Sequence, residues 1–241
     1  MWIFLILLII ILIIKRNALM CMIAKIKYGR GDIDGAERMF EKAFKNGNPA
    51  PEYQFLYGYI LLRKGKLEKA NKVLALASMS NAKPATKYRI KAMRALVFWK
   101  EGDIDTAIET LENINSEYKN TTIYQDLGLL YVLKGDKEKA RSFNEEAYAY
   151  NDDDNMIMDN LAESYALCGE MEKSEEIYKK LLAKEPRFAE AYWGYGIVLF
   201  EKGEKEKGLE LMRKSLDKRI TFLSTLQKEE IEAMIKEYEK K

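Results

Sequence analysis

Histidine is absent from this 241-residue chain. That removes imidazole acid–base catalysis, the serine and cysteine triads, and every histidine-ligated metal site. Cysteine is nearly absent too. Cys21 and Cys168 stand far apart, without the paired spacing of a disulfide framework or a zinc motif. Cys168, just before a glycine, reads as a small packed side chain. There is no G-x-S-x-G elbow, phosphate loop or dinucleotide fingerprint. The run NDDDN at 151–155 lacks the glycine and distal glutamate of a calcium hand loop, and reads as a loop whose Asp or Asn caps the next helix. Nor does charge of one sign prevail. Lys plus Arg is 40 and Asp plus Glu is 38; setting aside Lys15 and Arg16 leaves 38 of each. A balanced domain offers no broad electrostatic footprint for nucleic acid, and the dense Lys/Glu mixture reads as solvated helix faces. No cofactor, metal or catalytic residue is expected. An enzyme using Lys and Glu chemistry is the least favoured reading.

What is present is a period. Glycine recurs at Gly31, Gly65, Gly102, Gly135, Gly169 and Gly203, with gaps of 34, 37, 33, 34 and 34 residues. Such spacing marks a stack of small units, each resting on its neighbours. Seven residues before each glycine stand Ala24, Gly58, Ala95, Gly128, Ala162 and Gly196; five after it stand Ala36, Ala70, Ala107, Ala140, Ser174 and Gly208. Small residues on both sides of a turn predict a helical hairpin whose arms cross closely there, Gly128 facing Ala140 for example. Three residues past each glycine the residue is acidic: Asp34, Glu68, Asp105, Glu138, Glu172 and Glu206. Those carboxylates are expected at the start of the second arm, where free N–H groups and the helix dipole favour negative charge. YQFLYGYILL and YWGYGIVLF are too continuously apolar for surface helices, whereas LEKANKVLALA and DTAIETLENI have the pattern of an outer arm.

This arrangement resembles the tetratricopeptide repeat family. One match is Tyr124, Leu127, Gly128, Tyr131, Gly135, Ala140 and Ala147, with the expected Phe one residue early at Phe143 and Asn144 in its place. A second is Leu161, Ala162, Tyr165, Gly169, Tyr178 and Pro186, with Ser174 for the usual Ala. The first unit keeps Ala24, Gly31, Ala36, Phe40 and Ala43 but has Lys27 at the Tyr position; the third has Arg94 at a Leu position; the sixth has Gly208 and Ser215 at Ala positions. The resemblance implies an all-α fold, an alpha-alpha superhelix: a right-handed solenoid of helical hairpins. Repeats are expected at 17–50, 51–84, 88–120, 121–154, 155–188 and 189–220, with a capping helix in 221–241 carrying Leu226, Ile231, Ile235 and Tyr238 as its apolar stripe.

Residues 1–14, MWIFLILLIIILII, carry no polar side chain. As a helix they reach only about 21 Å against about 30 Å of hydrocarbon, a length that also suits a buried core helix. Their aliphatic character, the snorkelling capacity of Lys15 and Arg16, and the apolar continuation NALMCMIA through Ala24 favour a membrane anchor, with 1–16 as anchor and flank. A cleaved signal fits poorly, because no positive residue precedes the run and no A-x-A site follows it. The basic residues lie on the C-terminal side, so the positive-inside rule predicts a single-pass protein with a cytoplasmic repeat domain.

In the resembled family the first arm of each hairpin lines the concave side. Carried onto this chain, the groove residues are Phe55, Tyr59, Arg63, Arg89, Leu96, Trp99, Gln125, Leu129, Val132, Asp159, Glu163, Trp193, Ile197 and Phe200. Such a set suits an extended segment or an amphipathic helix of a protein partner. The family's lysine and asparagine clamp for a C-terminal carboxylate is not matched, because Phe55 and Tyr59 fill corresponding places. The expectation is a membrane-anchored scaffold for protein–protein interaction, in contact with the lipid bilayer through residues 1–14. Self-association through the groove or the open solenoid ends is the alternative.

Overall fold

The computed structural model describes residues 16–240. Among them thirteen helices follow one another: α1 Arg16–Gly29, α2 Ile33–Lys45, α3 Pro51–Arg63, α4 Leu67–Ser78, α5 Pro84–Lys100, α6 Ile104–Glu117, α7 Thr121–Lys134, α8 Lys137–Tyr150, α9 Asn155–Leu167, α10 Met171–Leu182, α11 Ala189–Glu201, α12 Lys205–Ser215 and α13 Lys228–Tyr238. The described residues divide into two compact units, with the boundary between Val97 and Phe98. In each unit consecutive helices pack as antiparallel hairpins, an all-α solenoid pattern.

The turns explain the register. All six recurring glycines have positive φ, between 70° and 93°. At Gly135 the left-handed residue ends α7, and its N–H reaches Val132 O, which a side chain with a Cβ would do under strain. The next residue, Asp136, is the N-cap of the second arm. The carboxylates of Asp32, Asp103 and Asp136 accept the N–H of Gly35, Thr106 and Lys139, satisfying donors that α2, α6 and α8 leave open. The six recurring acids occupy the first turn of their helices. Asp154 of the NDDDN run caps α9 through Met156 N and Ile157 N, both at 3.0 Å.

In the first unit α1 packs on α2, α2 on α3 and α3 on α4. Its core contains Cys21, Ala24, Ala36, Phe40, Tyr57, Leu61 and Leu74, and the Phe40 and Tyr57 rings stack 5.3 Å apart. Glu37 is buried there and ion-paired to both Lys64 and Lys66. Burial opposes its ionisation, yet the two ammonium groups hold its carboxyl below the ordinary range. In the second unit each helix from α6 to α12 packs on the next, and the first arms also touch: α7 on α9 and α9 on α11. Tyr178 and Tyr195 stack at 5.6 Å in its centre. Ile231 and Ile235 of α13 are buried with Trp193, Phe200 and Met212, closing the last hairpin.

The small residues do not all meet in the expected way. In α11–α12 they do: a Cβ on Gly196 would lie 2.8 Å from Gly208 O, and one on Gly208 would lie 2.7 Å from Gly196 O. In α7–α8, however, Asn144 rather than Ala140 fills the space against Gly128, its Oδ1 only 2.2 Å from where a Cβ would stand. In α3–α4, Leu74 rather than Ala70 lies against Gly58. Both intruders sit four residues beyond the expected alanine. Helical side chains lean toward the N-terminus and cover the preceding turn, which places them there.

The membrane expectation is corrected. Among the described residues no helix is long and apolar enough to cross a membrane. The apolar run 1–14 lies outside the described residues. Its supposed continuation through Ala24 belongs to α1, whose Cys21 and Ala24 are completely buried in the helical core of the first unit, a role that withdraws them from lipid. The N-terminal membrane helix, the bilayer as partner, the single-pass topology and the cytoplasmic placement derived from it have no support among the described residues.

Candidate protein-binding faces

In the first unit the first arms α1, α3 and α5 bring aromatic and arginine side chains together. Arg63 Nη1 donates to Tyr28 Oη at 3.1 Å. The Tyr28 and Tyr59 rings meet edge-on at 6.2 Å, and the Arg63 guanidinium lies 5.7 Å from the Tyr59 ring centre. The exposed Arg89 covers the Phe55 ring at 4.6 Å. Phe55, Tyr59 and Arg63 are half-buried, whereas Leu96 is buried.

The second unit has a different chemistry. Its first arms α7, α9 and α11 carry Asp126, Asp159, Glu163 and Glu190. Asp159 is only 3% exposed, and its Oδ1 has no hydrogen-bond partner. Burial raises its pKa well above the ordinary carboxylate range, and the nearby charges of Glu163 and Glu190 add to the rise. Burial, assisted by Glu190, pushes Glu163 up to about 7. Burial alone pushes Asp126 up to about 7. The Tyr178 phenol on α10 is raised by burial and by Asp159 and Glu163. Among the described residues no ion pair neutralises Asp126, Asp159 or Glu163, although surface carboxylates elsewhere in the unit are paired, as Glu175 is with Lys179 and Lys202.

One cation stands at the margin. Lys100 Nζ lies 4.0 Å from the Trp99 ring centre and 5.4 Å from that of Phe222, and donates to Ser224 O at 3.0 Å. Burial lowers its pKa, while Glu190 and Glu230 oppose the fall. Thr225 N donates to Glu190 Oε1 at 3.1 Å. The connector before α13 is thus tied both to Lys100 and to the acid face. Its Thr221 and Ser224 are joined by a further N–H to Oγ bond of 3.1 Å.

The other expected groove residues divide. Gln125 and Leu129 are half-buried. Gln125 donates to the capping Asp154 at 2.8 Å, and its backbone carbonyl accepts from Asn160 at 2.8 Å. Trp99 is half-buried and Val132 is buried. Trp193, Ile197 and Phe200 pack with α13, whose Tyr238 ring lies 6.3 Å from Trp193 and 4.8 Å from Phe200. Asp126, Glu190 and Lys100 were not singled out from the sequence. Their signal was a charge inside a first arm that is otherwise apolar, where an ionised side chain is rarely buried without a partner. No group of three or more Cys, Asp or Glu among the described residues is placed to hold a metal ion.

Helical hairpins stacked in register around left-handed glycine turns define a helical-repeat protein. Two family models described as tetratricopeptide repeat match residues 21–78, 169–221 and 121–154. The chain belongs to the tetratricopeptide repeat family. It is 25% identical over 218 residues to the transcription activator GutR of Bacillus subtilis, covering 80% of this chain and 25% of that protein. It is also 25% identical over 161 residues to a TPR repeat-containing protein of Methanocaldococcus jannaschii, covering 65% of this chain and 27% of the other. The chain therefore spans about a quarter of the curated relatives it matches. Among solved structures, that of the APC/C hetero-tetramer Cut9-Hcn1 is similar over 92% of this chain and 42% of that one, with 13% identity and a TM-score of 0.73. PilW, a type IV pilus biogenesis factor, is similar over 83% and 92%, with 12% identity and a TM-score of 0.66. At these identities the structural likeness establishes the fold alone.

Proposed function

We propose that this chain is a repeat adaptor without chemistry of its own, and that the acid face of its second unit receives a partner protein segment bearing lysine or arginine. The observation that carries the reading is Asp159: a buried carboxylate with an unpartnered oxygen, beside Glu163 and Glu190. An uncompensated buried charge is costly, and a cationic side chain brought by a partner relieves it. Of the expected groove, Gln125, Leu129, Asp159 and Glu163 form the relevant part in this unit. In the first unit Phe55, Tyr59, Arg63 and Arg89 offer a separate aromatic face.

Titration calorimetry of the full chain with an amphipathic lysine–leucine peptide tests the proposal, with a glutamate–leucine peptide as the comparison. The lysine peptide is expected to bind and, near pH 7, to release protons. Pairing with a cation lowers the raised carboxyl pKa values of Asp126, Asp159 and Glu163. The other facing groups are Glu190, Tyr178, Lys100 and Glu230, and the heat should vary with the ionisation enthalpy of the buffer. Glu163→Gln should weaken binding and reduce the released proton. Equal binding of both peptides, or binding without proton release, rejects the acid-face reading.

A further inference from the structure

Away from the acid face, the second unit contains a half-open cleft of about 480 Å³ between the end of α10 and the end of α12. Four cations line it: Arg187, Lys214, Lys218 and Arg219. Among the described residues none of the four forms an ion pair, although neighbouring cations do. Lys184 pairs with Asp153 at 2.6 Å and Arg213 with Glu239 at 2.6 Å. Two carboxylates, Glu185 and Asp217, share the wall, so four positive charges stand against two negative ones and leave a net of about +2.

The two lysines pack on an aromatic ring, and the two arginines are joined through their backbones. Lys218 Nζ sits 4.2 Å from the Tyr192 ring centre and Lys214 Nζ 5.4 Å from it. That ring is buried, so its face is a fixed platform for both ammonium groups. The backbones that carry the arginines are clipped together by Arg219 N donating to Arg187 O at 2.9 Å and by a parallel bridge between Phe188 and Arg219. Glu185, in the same wall, is the one non-glycine residue with positive φ among the described residues, at 50°. Such backbone strain concentrates at ligand-binding places. Balancing the dipole at the end of α12 accounts for Lys214, in the last turn, but the effect fades beyond it, where Lys218 and Arg219 lie.

We propose that this cleft is a binding site for a phosphate dianion, carried by a small phosphorylated compound or by a phosphorylated side chain of a partner. The net charge matches two negative charges. The arginine forks suit phosphate oxygens, and with the Tyr192 face already occupied by lysines there is no free aromatic platform for an apolar body. The site is separate from the acid face and does not depend on it.

Calorimetry of the full chain at fixed ionic strength tests the site with inorganic phosphate, and with a phosphoserine peptide against its serine counterpart. Saturable binding with a Kd below about 1 mM is expected for at least one phosphorylated probe. The tighter one identifies the source of the phosphate. Arg187→Gln and Lys218→Gln should each weaken binding about tenfold or more, as loss of a charged hydrogen bond does. Lys72→Gln, on an exposed lysine of the first unit, should leave it unchanged. Circular dichroism establishes that the variants are folded, and sulfate but not acetate should displace the probe from the unaltered chain. Absence of saturable binding for both phosphorylated probes overturns the proposal. So does an equal loss in Lys72→Gln, which would make the attraction one of general charge.

Discussion

Gly196→Ala adds one methyl group where α11 and α12 cross. Its Cβ would stand 2.8 Å from Gly208 O, 2.8 Å from Met212 Cγ and 3.1 Å from Met212 N. Two of these atoms are backbone, so relief requires α12 to move away from α11. Overpacking of a close-packed core costs about 1–3 kcal/mol. The same substitution improves intrinsic helix propensity by about 0.8–1.0 kcal/mol. The steric term wins, and a net destabilisation of about 1 kcal/mol is expected. Gly208→Ala meets Gly196 O at 2.7 Å and Phe200 N at 2.9 Å, and should behave alike. The double variant should cost less than the sum, because the first methyl has already parted the helices. Urea unfolding read by tryptophan fluorescence suits the experiment, since Trp99 and Trp193 both lie in the second unit. Should Gly196→Ala stabilise by about 1 kcal/mol, propensity alone would be operating and the close crossing would be wrong.

Gly128→Ala probes the crossing that Asn144 has taken over. The new methyl would displace the Asn144 side chain, whose Nδ2 donates to Gly128 O at 3.2 Å and Ala140 O at 2.9 Å. Unfolding should show a loss of about 1–2 kcal/mol, largely suppressed in an Asn144→Ala background; an equal loss in both backgrounds refutes the assignment. Two half-buried acids of the second unit set a pH dependence. Asp126 and Glu163 titrate at about 7 when folded, so the native state holds more protons than the unfolded chain between about 4 and 7. Their contribution to stability therefore falls as pH rises through that interval, and Glu163→Gln should flatten the fall in urea midpoints measured from pH 5 to 8. Glu37 has the opposite sign: its lowered carboxyl stabilises above the ordinary carboxylate range, and the contribution is lost on acidification below it.

The repeat is legible in the order of residues alone. The period of the glycines, the acids three residues later and the small residues on either side are local requirements, each set by backbone conformation or helix-end electrostatics within one hairpin, so spacing alone reveals them. Even Asp154 as a cap follows from its neighbours. Which side chain fills each crossing, and which charges lose their solvent, depends on how separate helices pack. Asn144 and Leu74 displace the expected alanines because a side chain one turn along leans back over the gap, and that depends on how two helices approach. Asp126, Asp159, Glu163 and Glu190 lie on three helices; burial raises the carboxyl pKa of Asp126, Asp159 and Glu163, and the Glu190 charge adds to the rise at Asp159 and Glu163, an effect that no single helix contains. Arg187 and Lys218 likewise come to one cleft through a contact between separate turns. Cys21 and Ala24, apolar enough to be read as lipid-facing, are claimed by the first unit's core. Composition records how apolar a segment is, whereas only packing determines what covers it.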